Sequence, residues 1–174
     1  MAIKLKYGSR PVYWDLTKRC VVDRSKLEIY RKGGKLKLPN EVVKFDSTHE
    51  FKVYLELIRI YGLERINLHY PIETIPKGQC YPNGKTWKVD FAIKHKDYVD
   101  EIVCYVEAKG LLTTEFTYTL ATLEQTNYKA FRTLFVVFPS KIPKQNKIVK
   151  NLLDSFCSSN ILTLSQLKKT NYLL

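Results

Sequence analysis

Two short segments, residues 87–93 and 102–108, place apolar side chains so regularly at every second position that they constrain most of what this chain can fold into. Trp87, Val89, Phe91 and Ile93 fall at every second position of the first, and Ile102, Cys104, Val106 and Ala108 at every second position of the second. A period of two is that of a β-strand. The spacing predicts an antiparallel hairpin folded around residues 95–100. The register that buries the apolar members together opposes Ile93 to Ile102, Phe91 to Cys104 and Val89 to Val106. It sets Asp90 opposite Tyr105, on the same face as Glu107 and Lys109. A slip of one residue would separate them.

Other elements are placed around this hairpin. Ser47-Thr48-His49-Glu50 has the form of a capping box, followed by Phe51, Tyr54, Leu55 and Ile58 at helical spacing and ended by Gly62. Residues 65–75 read as a strand interrupted at Pro71, and the Pro- and Gly-rich run from Pro76 to Gly84 as a loop. Residues 114–130 predict a helix with Phe116, Leu120, Leu123 and Asn127 on one side. Residues 133–138 predict a buried strand, 146–156 a second helix, and 161–164 a last strand, with Ser165 capping a final turn. Before residue 45, Val12-Tyr13-Trp14 and Leu27-Glu28-Ile29-Tyr30 read as short strands, Gly33-Gly34 as a turn and residues 35–38 as an edge strand. The order implies an α/β sandwich around a mixed central sheet flanked by helices, with residues 1–44 as a basic N-terminal extension packed on a core of residues 45–174.

At 174 residues the chain is large enough for a real core. Its formal charge of +12 favours a polyanionic partner, with nucleic acid ahead of an anionic membrane surface. The cysteines, Cys20, Cys80, Cys104 and Cys157, have neither C-x-x-C nor zinc-ligand spacing, which fits a reducing compartment. The basic start lacks a hydrophobic signal core, and no apolar run is long enough to span a membrane, so a cytoplasmic location is expected. No P-loop or dinucleotide-binding glycine motif supports ATP-driven or redox chemistry.

Asp90 and Glu107-Ala108-Lys109 carry the chemical signal. Two carboxylates suit a hard divalent cation, which takes oxygen ligands. Such a cation polarises a phosphoryl group and acidifies a water, and a lysine beside it orients that water or stabilises developing charge. The alternative is a hairpin with one solvated face, on which Lys88, Asp90, Glu107 and Lys109 form cross-strand charge pairs. Glu50 has a structural task in the capping box, and a helix over the sheet could also aim it at the same cation. His49, His69 and His95 are read as non-catalytic.

Phe45 to Glu50 with its helix, the strand near His69-Tyr70-Pro71, Trp87-Lys88-Val89-Asp90-Phe91 and Val106-Glu107-Ala108-Lys109-Gly110 together resemble the PD-(D/E)XK nuclease superfamily. The resemblance covers roughly residues 45–164 and is nearest to small phage and mobile-element nucleases and to the catalytic domain of transposon end-cleaving nucleases. It implies a restriction-endonuclease-like three-layer sandwich and Mg²⁺- or Mn²⁺-dependent endonucleolytic cleavage of DNA. It implies Asp90, Glu107 and the Ala108 carbonyl as metal ligands, Lys109 as the catalytic lysine and Glu50 as an auxiliary acid. Val89 replaces the proline of the motif's name without removing a ligand. Gln125 and Tyr128 are similar in place to a glutamine and tyrosine of recombination-exonuclease members, at shorter spacing. Gln125 is a candidate nucleic-acid contact, with a helix-surface amide, beside a packed Tyr128, as the preferred alternative.

Lys4, Lys6, Arg10, Lys18, Arg19, Arg24, Arg31, Lys32 and Lys35 are the candidates for tracking a DNA backbone, through contacts that weaken with salt. Two rival readings stand beside the nuclease. One is a nucleic-acid-binding module without turnover. The other is a subunit that cuts only in a recombination or transposition complex; a homodimer is a further possibility.

Overall fold

The computed structural model describes residues 10–32, 35–98, 100–140, 160–171 and 173, with the side chains of Arg24 and Lys32 outside that description. Lys4, Lys6, the Gly33-Gly34 turn and the helix expected over 146–156 lie outside the described residues. The chain divides into two compact units, Met1–Phe51 and Lys52–Leu174.

In the first unit, β1 (Val12–Asp15) pairs antiparallel with β2 (Cys20–Val21) on one side and β5 (Val42–Phe45) on the other. The Asp15 carboxylate closes the β1–β2 turn by accepting the N–H groups of Thr17 and Lys18. Phe51 packs against Trp14 and Phe45, at ring separations of 5.1 and 5.4 Å. The strand expected over Leu27–Tyr30 is instead helical: α1 (Arg24–Leu27) runs into a 3₁₀ turn, Glu28–Tyr30. Asp23 decides this, because its side chain caps the N–H of Ser25 and starts a helical turn. β3 (Arg31–Lys32) and β4 (Lys35–Leu36) form a two-residue ladder, shorter than the edge strand expected over 35–38.

α2 (Thr48–Tyr61) crosses from the first unit into the second. Ser47 Oγ accepts the N–H of Glu50, as the capping box requires. The Glu50 carboxylate in turn accepts the N–H of Asp46. Gly62, at φ 81°, ends the helix in a conformation that favours glycine.

The second unit is mixed α/β, built on a five-stranded mixed sheet of order β10-β9-β8-β7-β6. These strands are β6 (Ile66–Ile75), β7 (Lys85–Lys94), β8 (Ile102–Ala108), β9 (Leu134–Phe138) and β10 (Ile161–Thr163). β6, β7 and β8 are antiparallel neighbours, whereas β8, β9 and β10 run parallel. All five residues of β9 are buried, as suits a central parallel strand entered as the continuous run Leu134-Phe135-Val136-Val137-Phe138.

Pro71 does not interrupt β6, where it pairs with Lys88. β6 is an edge strand, so a residue lacking an N–H is tolerated there. Thr126 Oγ and Asn127 Nδ2 donate to the outer carbonyls of Thr74 and Glu73, which shields that edge from another chain. The irregularity lies at His69 instead, where φ is 50°.

The helix expected over 114–130 is two helices, α3 (Thr114–Thr126) and α4 (Tyr128–Arg132). Asn127 separates them because its side chain takes the N–H of Ala130 and caps the second. Phe116, Leu120 and Leu123 share a buried cluster with Val89, Phe131, Leu134 and Phe138. The last helix, α5 (Leu164–Lys169), is capped by Thr163 with Gln166 rather than by Ser165. Arg59 then holds its far end by donating to the carbonyls of Lys168 and Thr170.

The β7–β8 hairpin adopts a register other than the expected one. The observed pairs are Phe91 with Val106 and Ile93 with Cys104, two residues away from the expected register. One residue comes from the turn, which closes with the His95 N–H donating to Glu101. The other is a bulge at Val103, between the Ile93–Cys104 and Lys94–Ile102 pairs. One step would have turned Glu107 and Lys109 away from Asp90. Two restore the face. A second departure concerns the apolar members of β7. Phe91 stacks on Tyr54 of α2 at 6.1 Å, while Trp87 tilts against Phe116 of α3 at 5.9 Å and Val89 belongs to the α3 cluster. The division falls at Asp90, between the Leu68–Phe91 and Tyr70–Val89 pairs that flank His69.

Candidate active site

β7 and β8 stop exchanging ladder hydrogen bonds where the acidic residues begin, beyond the Phe91–Val106 pair. The two carboxylates then stand in for the backbone acceptors. Asp90 Oδ2 accepts the N–H of Ala108 at 2.8 Å, and Glu107 Oε2 accepts the N–H of Asp90 at 3.1 Å. Each acid is thus held by the other's strand, which fixes both rotamers without a ligand. Glu107 Oε1 pairs with Lys109 Nζ at 2.5 Å. The lysine side chain lies over the Phe116 ring, 4.6 Å from its centroid. The backbone N–H of Lys109 is bound to the Val137 carbonyl of β9, so its position is set by the central sheet.

Glu107 is 2% exposed. Its burial, and next the negative charge of Asp90, push its carboxyl up to about 8, against the opposing pull of Lys109. Burial alone would pull the Lys109 ammonium down, but the Glu107 and Asp90 carboxylates prevail and raise it. The site therefore holds more acid than the lysine can neutralise. That is the electrostatic condition in which a divalent cation is welcome.

Asp90 belongs to a group of side chains placed so that they could hold a cation. Two carboxylates from adjacent strands supply hard oxygens. His69 was set aside in the sequence, yet one of its ring nitrogens lies within 4.8 Å of a carboxylate oxygen of Asp90. Only the positive φ of His69 could have signalled this, and that is a property of the fold. Glu50 is 5% exposed and shares the buried stripe of α2 with Val53, Tyr54 and Leu57.

The remaining candidates belong to other elements. Arg10, Lys18, Arg19, Arg31 and Lys35 are exposed in the first unit. Lys18 and Arg31 are paired with Asp15 and Glu28, which reduces their charge toward a phosphate. Gln125 is exposed near the end of α3. Thr113 caps α3, its hydroxyl accepting the N–H of Phe116. Cys104 is buried, its thiol pushed up to about 12 by burial, and it is inert. Among the described residues no helix is long and apolar enough to cross a membrane. Comparison of the chain with family models, curated proteins and solved structures gave no match.

Proposed function

We propose that this protein is a metal-dependent endonuclease that hydrolyses DNA phosphodiester bonds, with a restriction-endonuclease-like core. The observation that carries the reading is the interlock of Asp90 and Glu107 across the splayed ends of β7 and β8, with Lys109 paired to the buried acid. A surface charge ladder would not bury a carboxylate to 2% exposure at the cost of raising its pKa. Asp90, Glu107 and the Ala108 carbonyl are the proposed ligands of Mg²⁺ or Mn²⁺. Bound there, the ion supplies Lewis acidity toward the scissile phosphate and a more acidic water.

The chain's own residues do the rest. Lys109, an ammonium held over Phe116, orients the attacking water and offsets charge on the phosphate oxygens. The backbone N–H groups of Ala108 and Asp90 keep both acids in place as charge redistributes. Glu50 is the proposed auxiliary acid on the strength of its place in the sequence order.

Supercoiled DNA incubated with the protein is expected to be nicked or cut in Mg²⁺ or Mn²⁺ and left intact in chelator. Binding without cutting under all these conditions would overturn the reading in favour of a non-catalytic module. A second expectation concerns protons. Glu107, with its pKa at about 8, holds a proton at neutral pH in the metal-free protein. A cation must displace it. Calorimetric titration with Mn²⁺ in buffers of different ionisation enthalpy should show release of about one proton per ion at pH 7, falling toward zero above pH 9. Release that does not change with pH would contradict Glu107 as a ligand.

A further inference from the structure

A groove of about 590 Å³ lies among the end of β6, the start of β7 and α3, a size in the range of ligand sites. One wall is Lys85 and Thr86; the other is Glu115, Tyr118, Thr119 and Thr122. Its position ties it to the catalytic candidates. Trp87, next on β7, touches Phe116, and Phe116 carries the Lys109 ammonium. The charge of Glu115 is felt at Lys109. From Lys85 to Asp90 along the strand is about 17 Å, the span of about five stacked nucleotides.

The walls differ in chemistry. Thr119 and Thr122 donate their hydroxyls to helix carbonyls, so the α3 wall is a floor of small side chains rather than a set of donors. Tyr118 rises from it, 70% exposed, a large aromatic with no core task. Positive charge comes from Lys85 on the strand side, and Glu115 repels phosphate on the helix side. A nucleic-acid strand laid here would run its backbone along β7 and turn its bases toward α3. A base in a duplex has its faces covered by its neighbours, whereas an unpaired base presents a face to an aromatic ring.

We propose that this groove holds an unpaired DNA strand flanking the scissile phosphate, with Lys85 on its backbone and Tyr118 stacked on a base. The proposal rests on the nuclease reading for its orientation, but its test does not. Fluorescence anisotropy would measure binding of a labelled 12-nucleotide single strand, and of a blunt duplex, to the wild-type protein in chelator. Tyr118→Ala is expected to weaken single-strand binding about five- to twentyfold, Tyr118→Phe to restore it, Lys85→Ala to weaken it and flatten its salt dependence, and neither to affect the blunt duplex equally. Tyr118 is exposed, so the variants should melt with the wild type. Single-strand affinities of both alanine variants within about twofold of wild type would overturn the proposal, even if the protein cuts DNA. Single-strand binding that depends on Tyr118 in a protein that never cuts would support the groove while removing the catalytic reading.

Discussion

Asp90→Asn is expected to abolish Mg²⁺-dependent cleavage of DNA, a loss of at least about 10³-fold, while the protein stays folded. The Asn side chain keeps an oxygen for the Ala108 N–H, so the β7–β8 junction is preserved. What disappears is the negative charge that, with Glu107, makes a cation site. Lys109→Ala should cost about 10²–10³-fold in kcat and leave Mn²⁺ affinity within a few-fold of wild type, because the ammonium serves the reaction rather than the ion. Gel assays on supercoiled and linear substrates, with calorimetry for the metal, separate the two effects. Cleavage that survives both substitutions would place the activity elsewhere.

Glu107→Gln is expected to abolish the proposed metal-dependent cleavage and to stabilise the protein. The wild-type carboxyl sits at about 8 in the folded protein against an ordinary value of 4.5. Between those values the folded state holds a proton that the unfolded state has lost. The stability Glu107 allows is therefore fully present below pH 4.5, declines as pH rises, and is lost by about pH 8, where a charge must be buried. Gln is neutral at every pH and escapes this cost, which is on the order of a few kcal/mol at 1.36 per pKa unit. Without divalent cations the variant should melt about 5–10 °C above wild type at pH 8.5 and close to it at pH 5. Excess Mg²⁺ should raise the wild type and not the variant. Equal melting at pH 8.5, or a gap independent of pH, would refute the account of Glu107. The expected trade is stability given up for a site that only a cation completes.

The part of this site legible in the sequence was its parity. Asp90, Glu107 and Lys109 alternate with residues that must be buried, so any even register places them on one side. The register itself was not legible. It depends on a bulge at Val103, a residue whose own chemistry announces nothing, and on a turn that closes one residue later than the shortest hairpin would. The division of β7 between α2 and α3 was also hidden, because Trp87 and Phe91 occupy equivalent positions in an alternating pattern and are separated only by the break at Asp90 and His69. Local polar chemistry misled in two further places. Asn127 was expected on one face of a continuous helix and Asp23 carried no expectation, yet each caps a helix and so decides where a strand does not form or a helix ends. The continuous apolar run of β9 and the helical spacing of Phe116, Leu120 and Leu123 in α3 were read well, since burial leaves a strong hydrophobic trace.

Asp90 and Glu107 are proposed to share a divalent cation. Anomalous diffraction from crystals grown with Mn²⁺ tests it directly. The account expects one dominant peak bounded by the carboxylates of Asp90 and Glu107 and the Ala108 carbonyl, lost in Asp90→Asn. A Mn²⁺ concentration that supports cleavage, yet yields no peak there or a peak elsewhere, would contradict it.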